Sequence, residues 1–267
     1  MRRGPFTGAL AIYGPAAYLG LGGSGKVRDS NTGELPVPLY MVPAITFATV
    51  SSPFFSVIMP SYLGDYGGNY GQPASNREEK ILRAIGSCLS QTFTDWELII
   101  VADGCEKTWE LQHHELLQDE RIRVFLIEKQ RLWSGVPRNT GIHKAEGKYI
   151  AYLDTDDAFT PDHLQRLFDE LLNREEPELA IVDDWVWSDR QWVKRIASAT
   201  KENSIGTSNI IHARRLGAYW PEVVYRWPSM GYDHDLQFYR VLQTLAKPVK
   251  LEAGGYLVHH IPRQYDL

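Results

Sequence analysis

The chain has 267 residues, 43% hydrophobic and 12% aromatic, enough apolar surface for the core of one large domain or two small ones, which excludes wholesale disorder. With 28 Lys+Arg against 33 Asp+Glu the formal charge is -5, so no global basic field exists to hold a phosphate backbone, and nucleic acid is not an expected partner. Two cysteines, Cys88 and Cys105, are too few for a disulfide scaffold or a structural zinc site and favour a reducing compartment.

No stretch reaches the roughly 18 consecutive apolar residues needed to span a bilayer. The expected location is cytoplasmic, or peripheral at a membrane. Residues 1–50 hold 8 of the 22 glycines and 5 of the 15 prolines without sustained periodicity, and read as an extension preceding a domain over 51–267. Within it, Gly20 to Lys26 imitates nucleotide-binding glycine loops, but turn residues follow where both chemistries need a helix.

From Phe54 the pattern becomes alternating strands and helices. Phe55 to Pro60 is a buried strand. Ser75-Asn76-Arg77-Glu78 has the form of a capping box opening a helix whose apolar face is Ile81, Leu82, Ile85, Cys88 and Leu89. Glu97 to Ala102 is a second strand ending at Asp103-Gly104, Ile122 to Ile127 a third, and Lys148 to Leu153 a fourth ending at Asp154-Thr155-Asp156-Asp157. Thr160 as cap and Pro161 at the first helical position begin a helix with Leu164, Leu167, Phe168, Leu171 and Leu172 on one face. Leu179 to Val182 is a further strand, and Trp185, Trp187 and Trp192 suggest a hairpin. This alternation predicts an α/β fold with a mostly parallel sheet, whose ligands bind beyond the carboxyl ends of the strands.

Asp103 and the cluster Asp154 to Asp157 both lie at such ends. Several carboxylates on one turn supply hard oxygen ligands for Mg²⁺ or Mn²⁺ against a substrate diphosphate. The plainer reading is a solvated acidic turn before a helix.

Five ordered motifs narrow the choice. Pro60-Ser61-Tyr62, Ser87 to Phe93, Asp103-Gly104, Arg138-Asn139-Thr140-Gly141 and Gly147 to Asp157 together resemble family-2-type glycosyltransferases of the GT-A fold, over roughly residues 54–260. The resemblance implies a metal-dependent, inverting transfer of a sugar from a UDP-sugar donor to a hydroxyl acceptor, with Mn²⁺ or Mg²⁺ as cofactor. It implies that Pro60, Tyr62 and Asp103 surround the base and ribose, and that Arg138 lies beside the uracil. An Asp103 carboxylate accepts the imide N–H of uracil, a donor cytosine lacks there. Arg138 is alternatively a surface charge on its helix. The family's metal carboxylate best matches Asp156, with Asp154 or Asp157 near ribose or metal, and His259 follows the last strand near where some GT-A enzymes place a metal ligand. Gly231 to Leu236 resembles the segment carrying the catalytic base and points to Asp233. Tyr232 replaces the usual Glu, which keeps Asp235 as a substitute.

The sequence departs from the family in the long Gly/Tyr-rich loop from Leu63 to Ala74. The tryptophans 185, 187, 192, 220 and 227 fall where family members bind acceptors, as stacking faces or as core. A nucleotidyltransferase and a non-catalytic nucleotide- or carbohydrate-binding protein are the alternatives, the first disfavoured because the loop after Pro60 lacks Lys and Arg before Arg77.

Overall fold

The computed structural model describes residues 52–64, 76–130, 134–188, 190–201, 204–222 and 234–258, all within the unit Val50–Leu267. The N-terminal extension with its glycine loops, Ser75, Trp227, Asp233 and His259 lie outside the described residues.

The elements alternate as the apolar pattern requires: β1 (Phe55–Ser61), α1 (Arg77–Leu89), β2 (Trp96–Asp103), the short α2 (Glu106–Glu110), β3 (Ile122–Ile127), α3 (Gly135–Lys144) and β4 (Tyr149–Tyr152). After the acidic turn come β5 (Ala158–Phe159), α4 (His163–Asn173), β6 (Leu179–Ile181), β7 (Asp184–Ser188), β8 (Gln191–Arg195), β9 (Ile210–Ala213), α5 (His234–Leu245), β10 (Pro248–Lys250) and β11 (Tyr256–Val258). The main sheet has the order β10-β6-β9-β4-β1-β2-β3. Strands β4, β1, β2 and β3 are mutually parallel, and β9 runs antiparallel to both β4 and β6. Every residue of β2 is buried, as a strand covered on both faces demands.

One face is covered by α1 and α4 through Ile81, Ile85, Leu164 and Leu167, packed on Val57, Met59 and Leu98. The other is covered by α3 and α5 through Ile142, Phe238 and Leu242, packed with Ile58, Ile99 and Val101. A second sheet, β5-β11-β7-β8, contains the expected tryptophan hairpin, with Trp187 opposite Trp192 and their rings 5.3 Å apart.

Two helix starts differ from the sequence reading. Asn76 precedes α1 in the left-handed region at φ 71 and makes no side-chain cap, a conformation Asn tolerates better than most residues. Helix α4 begins at His163 after Asp162. Thr160 heads a preceding turn instead, its hydroxyl donating to Asp162 Oδ1 at 2.7 Å and its carbonyl accepting from the His163 amide.

Candidate active site

Because β1, β2 and β4 run in one direction, their carboxyl ends meet at one edge and bring Pro60, Tyr62, Asp103 and Asp154 to Asp157 together. Pairing of β1 with β4 stops at Ile58 opposite Tyr152. Pro60 lies beyond that point, where its missing N–H costs no bond to β4.

Asp103 closes β2 and is buried. Its two oxygens accept from Lys129 Nζ at 2.6 Å and from the Gln130 amide at 2.7 Å. Gly104 follows at φ +57, and a Cβ there would sit 2.5 Å from Lys129 Cα, so this turn requires glycine. The Lys129 ammonium also lies 4.2 Å from the Tyr62 ring centre.

The Arg-Asn-x-Gly segment opens α3, and each residue has a separate task. Arg138 is 3% exposed, which excludes the surface-charge reading. It donates to Asp154 Oδ1 at 2.8 Å, Ser134 Oγ at 2.5 Å and Thr207 Oγ1 at 3.2 Å, with its guanidinium 4.3 Å over the Trp220 ring. Asn139 clips the Trp220 backbone, donating to its carbonyl at 2.9 Å and accepting from its amide at 2.7 Å. A Cβ on Gly141 would lie 2.5 Å from Ile58 Cγ2, so glycine lets α3 approach β1. Trp220 itself is core, stacked on Phe238 at 4.1 Å.

The acidic turn separates its carboxylates. Asp154 pairs with Arg138, and its carboxyl is raised above the usual carboxylate range by removal from water and by the Asp156 and Asp235 charges, against the pull of Arg138. Asp157 turns inward, 3% exposed, and accepts the Tyr256 hydroxyl at 2.7 Å, while that hydroxyl accepts the Asp154 amide at 3.1 Å. Asp156 is half-buried, and its backbone carbonyl accepts from Arg83 at 3.0 Å.

The first turn of α5 reaches the same place. Asp235 Oδ1 accepts the Thr207 hydroxyl at 3.0 Å, and Thr207 in turn accepts from Arg138, which links Asp235 to Asp154. His234 is buried, with Nε2 2.9 Å from the Pro221 carbonyl.

The Ser-x-x-x-Gln-Thr segment is a brace. Gln91 donates to Thr160 O at 2.7 Å and accepts from the Leu164 amide at 2.9 Å, joining the end of α1 to the start of α4. Lys129, Thr207 and Tyr256 were not singled out by sequence. Nothing local marks them, since their partners stand 26, 28 and 99 residues away.

Among the described residues no three His, Cys, Asp or Glu side chains gather into a complete metal cluster. The donor set nonetheless suits a hard cation. Asp154 and Asp156 are two carboxylates on one turn where negative charge accumulates, the kind of oxygen donors that Mg²⁺ or Mn²⁺ would take while substrate phosphates complete its coordination.

Known proteins resemble this chain in sequence and in fold. The chain is 34% identical over 124 residues to the putative teichuronic acid biosynthesis glycosyltransferase TuaG of Bacillus subtilis, covering 46% of this chain and 43% of that protein. It is 33% identical over 110 residues to the Escherichia coli UDP-Glc:alpha-D-GlcNAc-diphosphoundecaprenol beta-1,3-glucosyltransferase WfgD, covering 41% and 38%. The matches thus span about two fifths of these relatives' length. In fold it is similar to S. aureus TarS 1-349, with a TM-score of 0.59 at 20% identity over 77% of this chain and 60% of that one, which is the GT-A architecture. Residues 72–231, more than half of the chain, match the family described as glycosyl transferase family 2, and with the parallel strands and the acidic turn at their carboxyl edge this places the chain in that family of glycosyltransferases.

Proposed function

We propose that residues 51–267 carry out the metal-assisted transfer of a sugar from a UDP-sugar to a hydroxyl acceptor, with inversion at the anomeric carbon. The observation that carries this reading is the shared carboxyl edge of β1, β2 and β4, which carries Tyr62, Asp103 and the Asp154–Asp156 turn, with Asp235 tied to Asp154 through Thr207 and Arg138. TarS has been crystallised with UDP and with UDP-GlcNAc, and WfgD is named for UDP-Glc; both favour a uridine donor here.

Asp103 accepts the uracil imide N–H and Tyr62 lies against the base. Asp156, with Asp154, would hold Mn²⁺ or Mg²⁺, which when bound screens the charge of the leaving diphosphate. Arg138 fixes the Asp154 carboxylate, and Tyr256 fixes the turn that presents it. Asp233, immediately before α5, removes the proton of the acceptor hydroxyl. The acceptor oxygen then bonds to the anomeric carbon from the face opposite the departing UDP, and with one base and no covalent intermediate the configuration inverts.

The test is incubation with Mn²⁺ and a panel of UDP-sugars. UDP release, with the product's anomeric configuration read by NMR, is expected. A chain that binds UDP tightly yet releases none from any donor and acceptor pair would instead be a binding protein.

A further inference from the structure

The Arg138 Nη2 atom divides its two protons between Asp154 Oδ1 at 2.8 Å and Thr207 Oγ1 at 3.2 Å. An arginine only donates, so the Thr207 hydroxyl accepts there and directs its own proton to Asp235 Oδ1 at 3.0 Å. We infer that Thr207 is a positioning residue for the transfer, holding the first turn of α5, and with it the base that enters that turn, in register with the acidic turn after β4. This rests on the transfer reading above, with Asp233 as the base.

Packing alone leaves this register soft. Helix α5 lies on the sheet through Phe238 and Leu242, with Phe238 stacked on Trp220, and apolar contact has no preferred direction. The chain from Asp154 through Arg138 and Thr207 to Asp235 is directional at every step. Its cation is fixed in turn by Ser134 Oγ on Nη1 and by the Trp220 ring beneath it. Thr207 is therefore the point at which a carboxylate of α5 is tied to a carboxylate at the end of β4.

The backbone that presents Thr207 is held independently of its hydroxyl. Thr207–Asn209 forms one 3-10 turn, and all three residues are buried. Asn209 accepts the Gly206 amide at 2.7 Å and donates to the Val182 carbonyl at 2.9 Å, while Ser208 donates to the fully buried Asp184. Removing the Thr207 hydroxyl leaves these anchors in place, and Asp235, which is only half-buried, is free to take water in its stead.

Thr207→Val and Thr207→Ser test this on the full chain, with UDP release from the donor and acceptor pair that the panel above yields and with UDP calorimetry in Mn²⁺. Thr207→Val is expected to lower kcat by about 10–100-fold, the scale of a misplaced catalytic group, with UDP affinity unmoved. Thr207→Ser keeps the hydroxyl and is expected to recover most of the rate. The acid limb of the kcat–pH profile should stay at its wild-type position in both, because Thr207 does not touch the base. An undiminished kcat in Thr207→Val, a loss of UDP affinity in step with kcat, or a Thr207→Ser as slow as Thr207→Val would overturn the positioning role alone. So would an acid limb moved to higher pH, since losing a hydrogen bond to a carboxylate raises its pKa and the base would then be Asp235 itself. A wild-type chain that releases no UDP from any pair would remove the transfer reading, and this inference with it.

Discussion

Asp156 and Asp157 are adjacent yet meet different demands. Asp157 is the acceptor for a buried tyrosine hydroxyl, so Asp157→Ala strands that hydroxyl and should cost about 1–3 kcal/mol of stability. Asp156 is half-buried at the turn, and Asp156→Ala should weaken UDP binding in Mn²⁺ by at least about tenfold, because an unscreened diphosphate is disfavoured. Calorimetry with and without EDTA checks this, and undiminished UDP affinity in either case would end the metal role. Asp233→Asn keeps shape but cannot accept a proton, so transfer should fall by ~10²–10⁴ with donor affinity unmoved. Asp235→Asn is the control, since an amide oxygen still accepts the Thr207 hydroxyl. Should Asp235→Asn abolish turnover while Asp233→Asn stays active, the base is the later residue.

At the scale of elements, the edge is positioned by close approaches that glycine permits. Gly147, just before β4, would place a Cβ 2.6 Å from Ser56 N and 2.8 Å from Phe55 C, backbone of β1 that cannot yield. Its own amide donates to Ser56 Oγ at 2.8 Å and to buried Glu97 at 3.2 Å. Gly147→Ala should therefore destabilise by about 1–3 kcal/mol or more through overpacking, and shift the acidic turn that β4 delivers. Gly86, in the middle of α1, has nothing within 4 Å of where an added methyl would sit. Gly86→Ala should have the opposite sign, stabilising by about 0.5–1 kcal/mol through helix propensity. Thermal midpoints of the two variants, compared side by side, check the pair; a stabilised Gly147→Ala would contradict the packing argument.

Two buried histidines contribute to the response of the molecule to acid. His163 accepts the Gly255 amide at Nδ1 at 3.0 Å and stacks on Phe159, and burial pushes its pKa down to about 3. His212 contacts the Tyr152 hydroxyl at 2.8 Å, and burial pushes it down to about 4. Both folded values lie below the ordinary value near 6.5, so between pH 6.5 and 4 the unfolded chain binds protons that the folded chain refuses. Stability should fall as pH falls through this window, at about 1.4 kcal/mol per pH unit for each histidine. Urea unfolding at pH 7 and pH 5 reads the slope, and equal stability at both would contradict it. Among the described residues no helix is long and apolar enough to cross a membrane.

Local pattern alone determined the alternation of elements, the apolar faces of α1 and α4, and the placement of Asp103 and Asp154 to Asp157 at strand ends, because strand and helix periodicities and the punctuation of Gly, Pro and Asp act over a few residues. Two helix starts escaped it, since capping depends on which backbone groups the neighbouring turn already satisfies. The Arg-Asn-x-Gly and Ser-x-x-x-Gln-Thr segments were legible as motifs but not as mechanisms. Arg138 holds Asp154, Asn139 clips Trp220 and Gln91 braces α4 only once α3 and α1 are packed on their opposite faces of the sheet. Tertiary structure alone decided that Lys129 pairs with Asp103, that Asp157 faces Tyr256, and that Thr207 joins Asp235 to the donor edge. The physical reason is that these contacts cross between elements whose neighbours are set by strand order and register, including an antiparallel β9 between β4 and β6, and no periodicity within one segment encodes which distant side chain will stand opposite.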